Sequence, residues 1–149
     1  MIEIALFQPD IAPNAATIIR MATCLGLKVT IIEPAGFAWT DSSFRRAGMD
    51  YLDRATVGRA VSWASFRQEN TSRRLVLLST RAELPYTEFT FSDDDILIVG
   101  QESAGAPTMV HDAVSARLLI PMQRGERSLN VGLACAMVTG EALRQLGRF

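Results

Sequence analysis

Three stretches of this sequence gather glycine, proline and polar side chains where an apolar run ends, the place at which open α/β sheets hold their ligands. They are Gln8 to Arg20, Gly100 to Pro107 and Met122 to Asn130. In the first, Asn14 falls at the start of a helical pattern, where its side chain or the free backbone N–H groups can hold an anion, and Arg20 follows two turns later. Arg20 stands between Ile19 and Met21, so it must either pair with an acid or present its planar fork of donors to a phosphate. Spacing leaves both readings open. In the second stretch, Gly100-Gln101-Glu102-Ser103-Ala104-Gly105 has the glycine spacing of a Walker A loop, but Ala106 and Pro107 stand where lysine and a hydroxyl residue are required. ATP binding by a phosphate loop is excluded, and no G-x-G-x-x-G follows the first strand to suggest a dinucleotide. In the third, Ser128 is the expected cap of the last helix, with Asn130 on its first turn. Capping does not explain why the loop before it is as polar and turn-rich as Pro121 to Arg127.

The elements that must position these residues alternate between the two hydrophobic periods. Ile2 to Phe7 reads as a buried strand closed by Gln8-Pro9-Asp10. Pro13 suits the first turn of a helix running to about Leu25, with Ile18, Ile19, Ala22 and Leu25 on one face and Gly26 at its end. Lys28 to Glu33 follows as a β-branched strand, and strand, helix, strand is the unit of a parallel sheet. Asp41 is expected to cap a short helix through Arg46, Ala55 to Val57 to form a brief strand, and Ser62 to Gln68 another helix. Arg74 to Ser79 and Asp95 to Val99 are nearly continuous apolar runs, as in strands covered on both faces. Between them, Ala82 to Asp94 reads as a surface loop or short helix. Pro107 opens a short helix, Arg117 to Ile120 is the last strand, and Ser128 to Gly147 forms a long amphipathic helix. The fold class is α/β with a parallel sheet, and residues 1–149 are expected to form one domain.

Composition narrows the chemistry. Apolar runs such as Leu75 to Leu78 are far shorter than the ~20 residues that span a bilayer, so no membrane helix is expected. The opening MIEIALF carries an acid and no basic region, so no secretory signal is expected and the protein is placed in the cytoplasm. Cys24 and Cys135 sit in apolar helical patterns and read as reduced core residues, with no metal spacing between them. His111, the single histidine, reads as solvated. The net charge of −1 is not that of a general nucleic-acid binder. Arg45-Arg46, Arg124 and Arg127 can still form a local basic patch, whereas Arg73-Arg74 reads as solvated surface.

Five ordered motifs carry a resemblance that no single segment would. FQPDIAPNAATIIR (7–20), IIEPAGFAW (31–39), RRAGMDY (45–51), VGQESAGAP (99–107) and IPMQRGERSLNVG (120–132) together resemble the SPOUT methyltransferases, and among them the TrmL-type enzymes that methylate the 2'-hydroxyl of the tRNA wobble nucleotide. The resemblance implies a parallel sheet whose C-terminal part is tied in a trefoil knot, a homodimer, and transfer of a methyl group from S-adenosyl-L-methionine to cytidine or uridine 34 in the anticodon region of tRNA, without a metal.

It also assigns residues. Leu78, Ser79, Thr80, Gly100, Glu102, Ile120, Met122, Ser128 and Leu129 match the cofactor pocket. Asn14, Arg20, Ser128 and Asn130 match the positions around the transferred methyl and the RNA. A guanidinium does not deprotonate in a protein, so Arg20 is expected to fix a phosphate and stabilise developing oxyanion charge rather than act as a base. The chain departs from the pattern at Ala15-Ala16-Thr17, usually more polar, at Ala106 for leucine, at Gly132-Leu133 for a Ser-Asn pair, and at Gly140 for tyrosine. These departures leave donor binding intact and bear on which RNA is chosen. Another tRNA or rRNA site, a non-catalytic RNA-binding dimer and a small-molecule α/β enzyme are the competing readings.

Overall fold

Seven short strands pair entirely in parallel, as the strand, helix, strand spacing requires. The computed structural model describes residues 1–149. The strands are β1 (Glu3–Phe7), β2 (Lys28–Ile32), β3 (Val57–Ala60), β4 (Leu75–Leu78), β5 (Leu84–Pro85), β6 (Ile96–Val99) and β7 (Ala116–Leu119), in the order β3-β2-β1-β6-β4-β7-β5. The helices are α1 (Ala12–Cys24), α2 (Ser42–Gly48), α3 (Tyr51–Arg54), α4 (Trp63–Glu69), α5 (Thr108–Ala113) and α6 (Val131–Gln145).

Side chains alternate across a strand, so each central strand feeds two cores. Ile4, Leu6, Val76, Leu97 and Val99 face a layer made by α1, α2 and α6, with Ile18, Ile19, Phe44, Cys135 and Val138. Ala5, Phe7, Leu77, Ile96 and Ile98 face the opposite layer, with Trp63 and Phe66 of α4 and Val110 of α5. β1, β6 and β4 are therefore buried on both faces, which is why their sequences are unbroken apolar runs.

Local signals at several ends hold. Asp41 caps α2, accepting from Ser43 and Phe44 N–H at 2.9 and 3.1 Å, and Ser62 caps α4 through Ser65 N–H at 3.1 Å. Pro13 occupies the first turn of α1.

Other expectations are corrected. The brief strand begins at Val57, where Ala55 to Val57 was expected to hold it, because the parallel register sets Val29 against Val57. Ala82 to Asp94 contains the edge strand β5 and a 3-10 turn at Tyr86–Glu88, pinned by Phe91 buried against α6. Arg73 and Arg74 are ion-paired rather than free: Arg73, half-buried, bonds Glu3 at 2.6 Å, and Arg74, itself exposed, grips the fully buried Asp95 with two bonds of 2.6 and 2.7 Å. Cys135 is buried, its thiol pushed up to about 12 by burial and so inert, but Cys24 is exposed at the end of α1. The last helix starts three residues later than Ser128, with Asn130 as its cap. No helix is long and apolar enough to cross a membrane.

Candidate active site at the carboxyl ends of the strands

The loops that leave β4, β6 and β7 at their carboxyl ends enclose a cleft of about 590 Å³, closed on one side by α6 and the start of α1. A cavity of this size accommodates a nucleoside-sized ligand. Leu78, Ser79, Thr80, Gly100, Glu102, Ile120, Met122, Ser128 and Leu129 all line it, and so do Asn14 and Asn130. Arg20 does not.

Asn130 links two elements. Its Oδ1 accepts from Gly132 and Leu133 N–H at 2.8 and 3.3 Å, capping α6, while its Nδ2 donates to Asn14 Oδ1 at 3.0 Å. A cap must present a short side chain with an acceptor, and the Asn130 amide keeps its NH2 group free to donate to Asn14. Gly132 sits tightly below, since a Cβ there would approach Asn130 Oδ1 to 3.1 Å.

Glu102 turns toward the start of α1 instead of hanging free in the cleft. Its Oε2 accepts from Asp10 and Ile11 N–H at 3.3 and 3.4 Å, supplying the cap that the Ile11 side chain cannot. Asp10 reciprocates, accepting from Glu102 N–H at 3.1 Å and from the Ser103 hydroxyl. The clasp ties the loop after β1 to the loop after β6. Burial, together with the neighbouring Asp10, pushes the Glu102 carboxyl above the usual range, whereas hydrogen bonding with Glu102 and Ser103 holds Asp10 below it. Gly100 lets this loop fold back on itself, because a Cβ there would fall 2.5 Å from Ala106 N, and Gly105 takes φ +66° to complete the turn.

Arg20 does not take the first of its two expected partners, an acid. No carboxylate pairs with it; its guanidinium lies 4.8 Å from the Tyr51 ring centre, with Arg54 4.7 Å from the same ring, and its Nη1 donates to Met49 Sδ at 3.3 Å. Arg20 remains exposed, on the side of α1 turned toward α3. The cation and ring leave its other donors available.

His111 corrects the sequence reading most. It is 8% exposed, lines the cleft, and bonds Ser79 Oγ through Nε2 at 2.7 Å. Spacing carried a weak signal for this: Val110 and His111 lie on a short helix directly after the fully buried strand β6, where no face is far from the core. Asp10 and Tyr51 also escaped notice, since their partners lie 92 and 31 residues away.

Comparison with known proteins supplies the family. Residues 1–140 match the model of the SpoU rRNA Methylase family. A tRNA (cytidine(34)-2'-O)-methyltransferase of Beijerinckia indica subsp. indica is 58% identical over 146 residues, covering 97% of this chain and 91% of the relative. A structure solved for insight into 2-OH methylation of C/U34 on tRNA superposes with a TM-score of 0.95 at 34% identity, covering 100% of this chain and 98% of the other. An AdoMet-bound rRNA methyltransferase from Sinorhizobium meliloti shares the fold, with a TM-score of 0.88 at 23% identity over 97% of this chain and 56% of its own. A parallel α/β sheet opening into a nucleoside-sized cleft, matched along nearly its whole length, makes this chain a member of the SpoU methylase family.

Proposed function

We propose that the chain is a tRNA 2'-O-methyltransferase that transfers the methyl group of S-adenosyl-L-methionine to the ribose 2'-hydroxyl of cytidine or uridine 34, working in the cytoplasm as a homodimer with residues 1–149 as one knotted catalytic domain. The observation that carries this reading is the cleft, in which nine residues at cofactor positions meet the Asn14–Asn130 pair, in a chain 58% identical to a relative named for that reaction.

The cleft suits the methyl donor: Leu78, Ile120 and Leu129 give apolar walls to a purine, and Thr80, Gly100, Met122 and Ser128 give hydroxyls and backbone groups to a ribose and an amino acid. When bound, S-adenosylmethionine supplies a methyl group activated by its sulfonium. The residues' own task is placement, because holding hydroxyl and methyl in line contributes ~7–11 kcal/mol by itself. Asn130, held by α6 and Asn14, offers a fixed polar edge at the cleft, and Ser128 stands exposed at its rim. Arg20, permanently cationic, binds the adjoining phosphate and stabilises charge developing on the oxygen.

Because Arg20 lies outside its own chain's cleft, it acts in the cleft of a second copy. The exposed pair Leu133 and Met137, one turn apart on α6, offers that copy an apolar stripe. Mass spectrometry of tRNA nucleosides from a deletion strain tests the reading. Loss of the 2'-O-methyl mark at position 34 is expected; an unchanged tRNA with a mark lost from rRNA would reassign the substrate, and no lost mark at all would favour a non-catalytic RNA-binding dimer.

A further inference from the structure

In the wall of the cleft, Ser79 is held by His111 and Arg81, two residues to which the methyl-transfer reading gives no part. Arg81 Nη2 faces two acceptors: it donates to Ala106 O at 2.9 Å and meets His111 Nδ1 at 2.9 Å. A guanidinium nitrogen has hydrogens and no lone pair to offer, so His111 Nδ1 must accept there. Pro107 O also lies 3.2 Å from Nδ1, but a hydrogen placed on Nδ1 to reach it would be set against the Arg81 N–H. The neighbours thus assign the tautomer, and Nε2 carries the ring hydrogen. That hydrogen points at Ser79 Oγ, 2.7 Å away. Ser79 Oγ accepts a second bond from the Arg81 main-chain N–H at 3.1 Å.

A serine hydroxyl has two lone pairs and one hydrogen. Here both lone pairs are taken, so the hydroxyl can only donate, and the residue lines the cleft. We propose that His111 is a positioning residue for ligand binding: with the Arg81 backbone it converts Ser79 into a fixed hydrogen-bond donor for an acceptor oxygen or nitrogen of the cofactor. A serine free to rotate would meet an acceptor or a donor equally; this one discriminates in favour of an acceptor. The proposal rests on the cleft being the S-adenosylmethionine site.

Titration calorimetry with S-adenosylmethionine on the full chain tests it through a double-mutant cycle. Ser79→Ala and His111→Leu each weaken binding about five- to tenfold, the scale of one net hydrogen bond. The double variant is no weaker than Ser79→Ala alone, because His111 acts through that hydroxyl. His111→Gln, which keeps an acceptor beside a donor, restores binding to within about twofold of the parent. Independent losses that add in the double variant, or parent-like affinity in His111→Leu, would overturn the proposal. If His111→Leu does not fold, Ser79→Ala and His111→Gln still decide it. Nitrogen-15 spectra of the ring give a readout that simple packing does not move: hydrogen on Nε2 is expected, and hydrogen on Nδ1 refutes the arrangement. Should the parent itself release no heat with S-adenosylmethionine, the cofactor reading fails, and the ring spectra still judge the Ser79 geometry.

Discussion

The two ends of the sheet are built from the same kinds of residue and use them in opposite ways. At the amino ends of the strands, charges are paired with one another: Glu3 on β1 meets Thr30 and Lys28 of β2 and Arg73 before β4, and Asp95 before β6 meets Arg74. At the carboxyl ends, polar groups are clasped only in part. Glu102 with Asp10 and His111 with Ser79 and Arg81 fix the wall, while Gln123 to Leu129 lies wholly exposed, with Glu126 N–H to Gln123 O as its internal bond. The closed end holds the fold together, and the open end keeps donors and acceptors for other molecules.

Substitutions at each end can break or sharpen that contrast. The largest effect is expected at the open end. Arg20→Ala lowers methyl transfer at least about a hundredfold, and Asn130→Asp, which keeps the capping oxygen but loses the donor to Asn14, does likewise. Mixing the two inactive proteins restores about a quarter of parental activity, since half the dimers are mixed and each carries one intact site. No recovery after subunit exchange would mean that each chain uses its own Arg20.

At the closed end, Arg74→Leu leaves a buried carboxylate without its cation and costs about 3 kcal/mol in urea unfolding, with transfer by the folded protein unchanged. A loss of activity at full folding would erase the distinction between the ends.

A smaller effect depends on pH. Burial raises the Glu3 carboxyl, but Thr30, Arg73 and Lys28 together outweigh it and hold the group below the usual carboxylate value. The folded value lies below the unfolded one, so the ionised group contributes stability above the unfolded value and loses it as pH falls through the folded one. Glu3→Gln therefore costs about 1–2 kcal/mol near neutrality, and its deficit against the parent closes in acid. A deficit that does not vary with pH would assign the loss to packing.

The smallest effect is at the exposed loop. Arg127→Ala leaves the unfolding midpoint unchanged and weakens RNA binding, lowering the slope of log affinity against log salt by about 1. An unaltered slope would remove Arg127 from the RNA surface.

The apolar core and the local caps were more legible in sequence than the long-range polar pairing, and the reason is physical. Continuous apolar runs and short-range caps such as Asp41 and Ser62 are decided within a few residues. The pairing of Arg73 and Arg74 and the burial of His111 depend on partners brought together only by the finished sheet, with Arg73 reaching 70 positions to Glu3. The shift of the α6 cap from Ser128 to Asn130 has the same origin, because Asn14 competes for one of two equally good capping residues. Composition had set the net charge against RNA binding, since a sum over the chain says nothing of how charges are paired. Gly100, whose spacing to Gly105 suggested a phosphate loop, is required instead by the close approach of its own loop, which no spacing rule describes.

The strand order has a consequence for how the chain is made. β1 lies between β2 and β6, and its Glu3 aligns with Ile96, so a nascent chain has completed only one neighbour of β1 while the rest is being translated. At ribosomal speeds that wait is on the order of 5–20 s. Throughout it, one edge of a strand whose Ile4, Ala5, Leu6 and Phe7 are all buried in the finished fold stands open to other nascent chains.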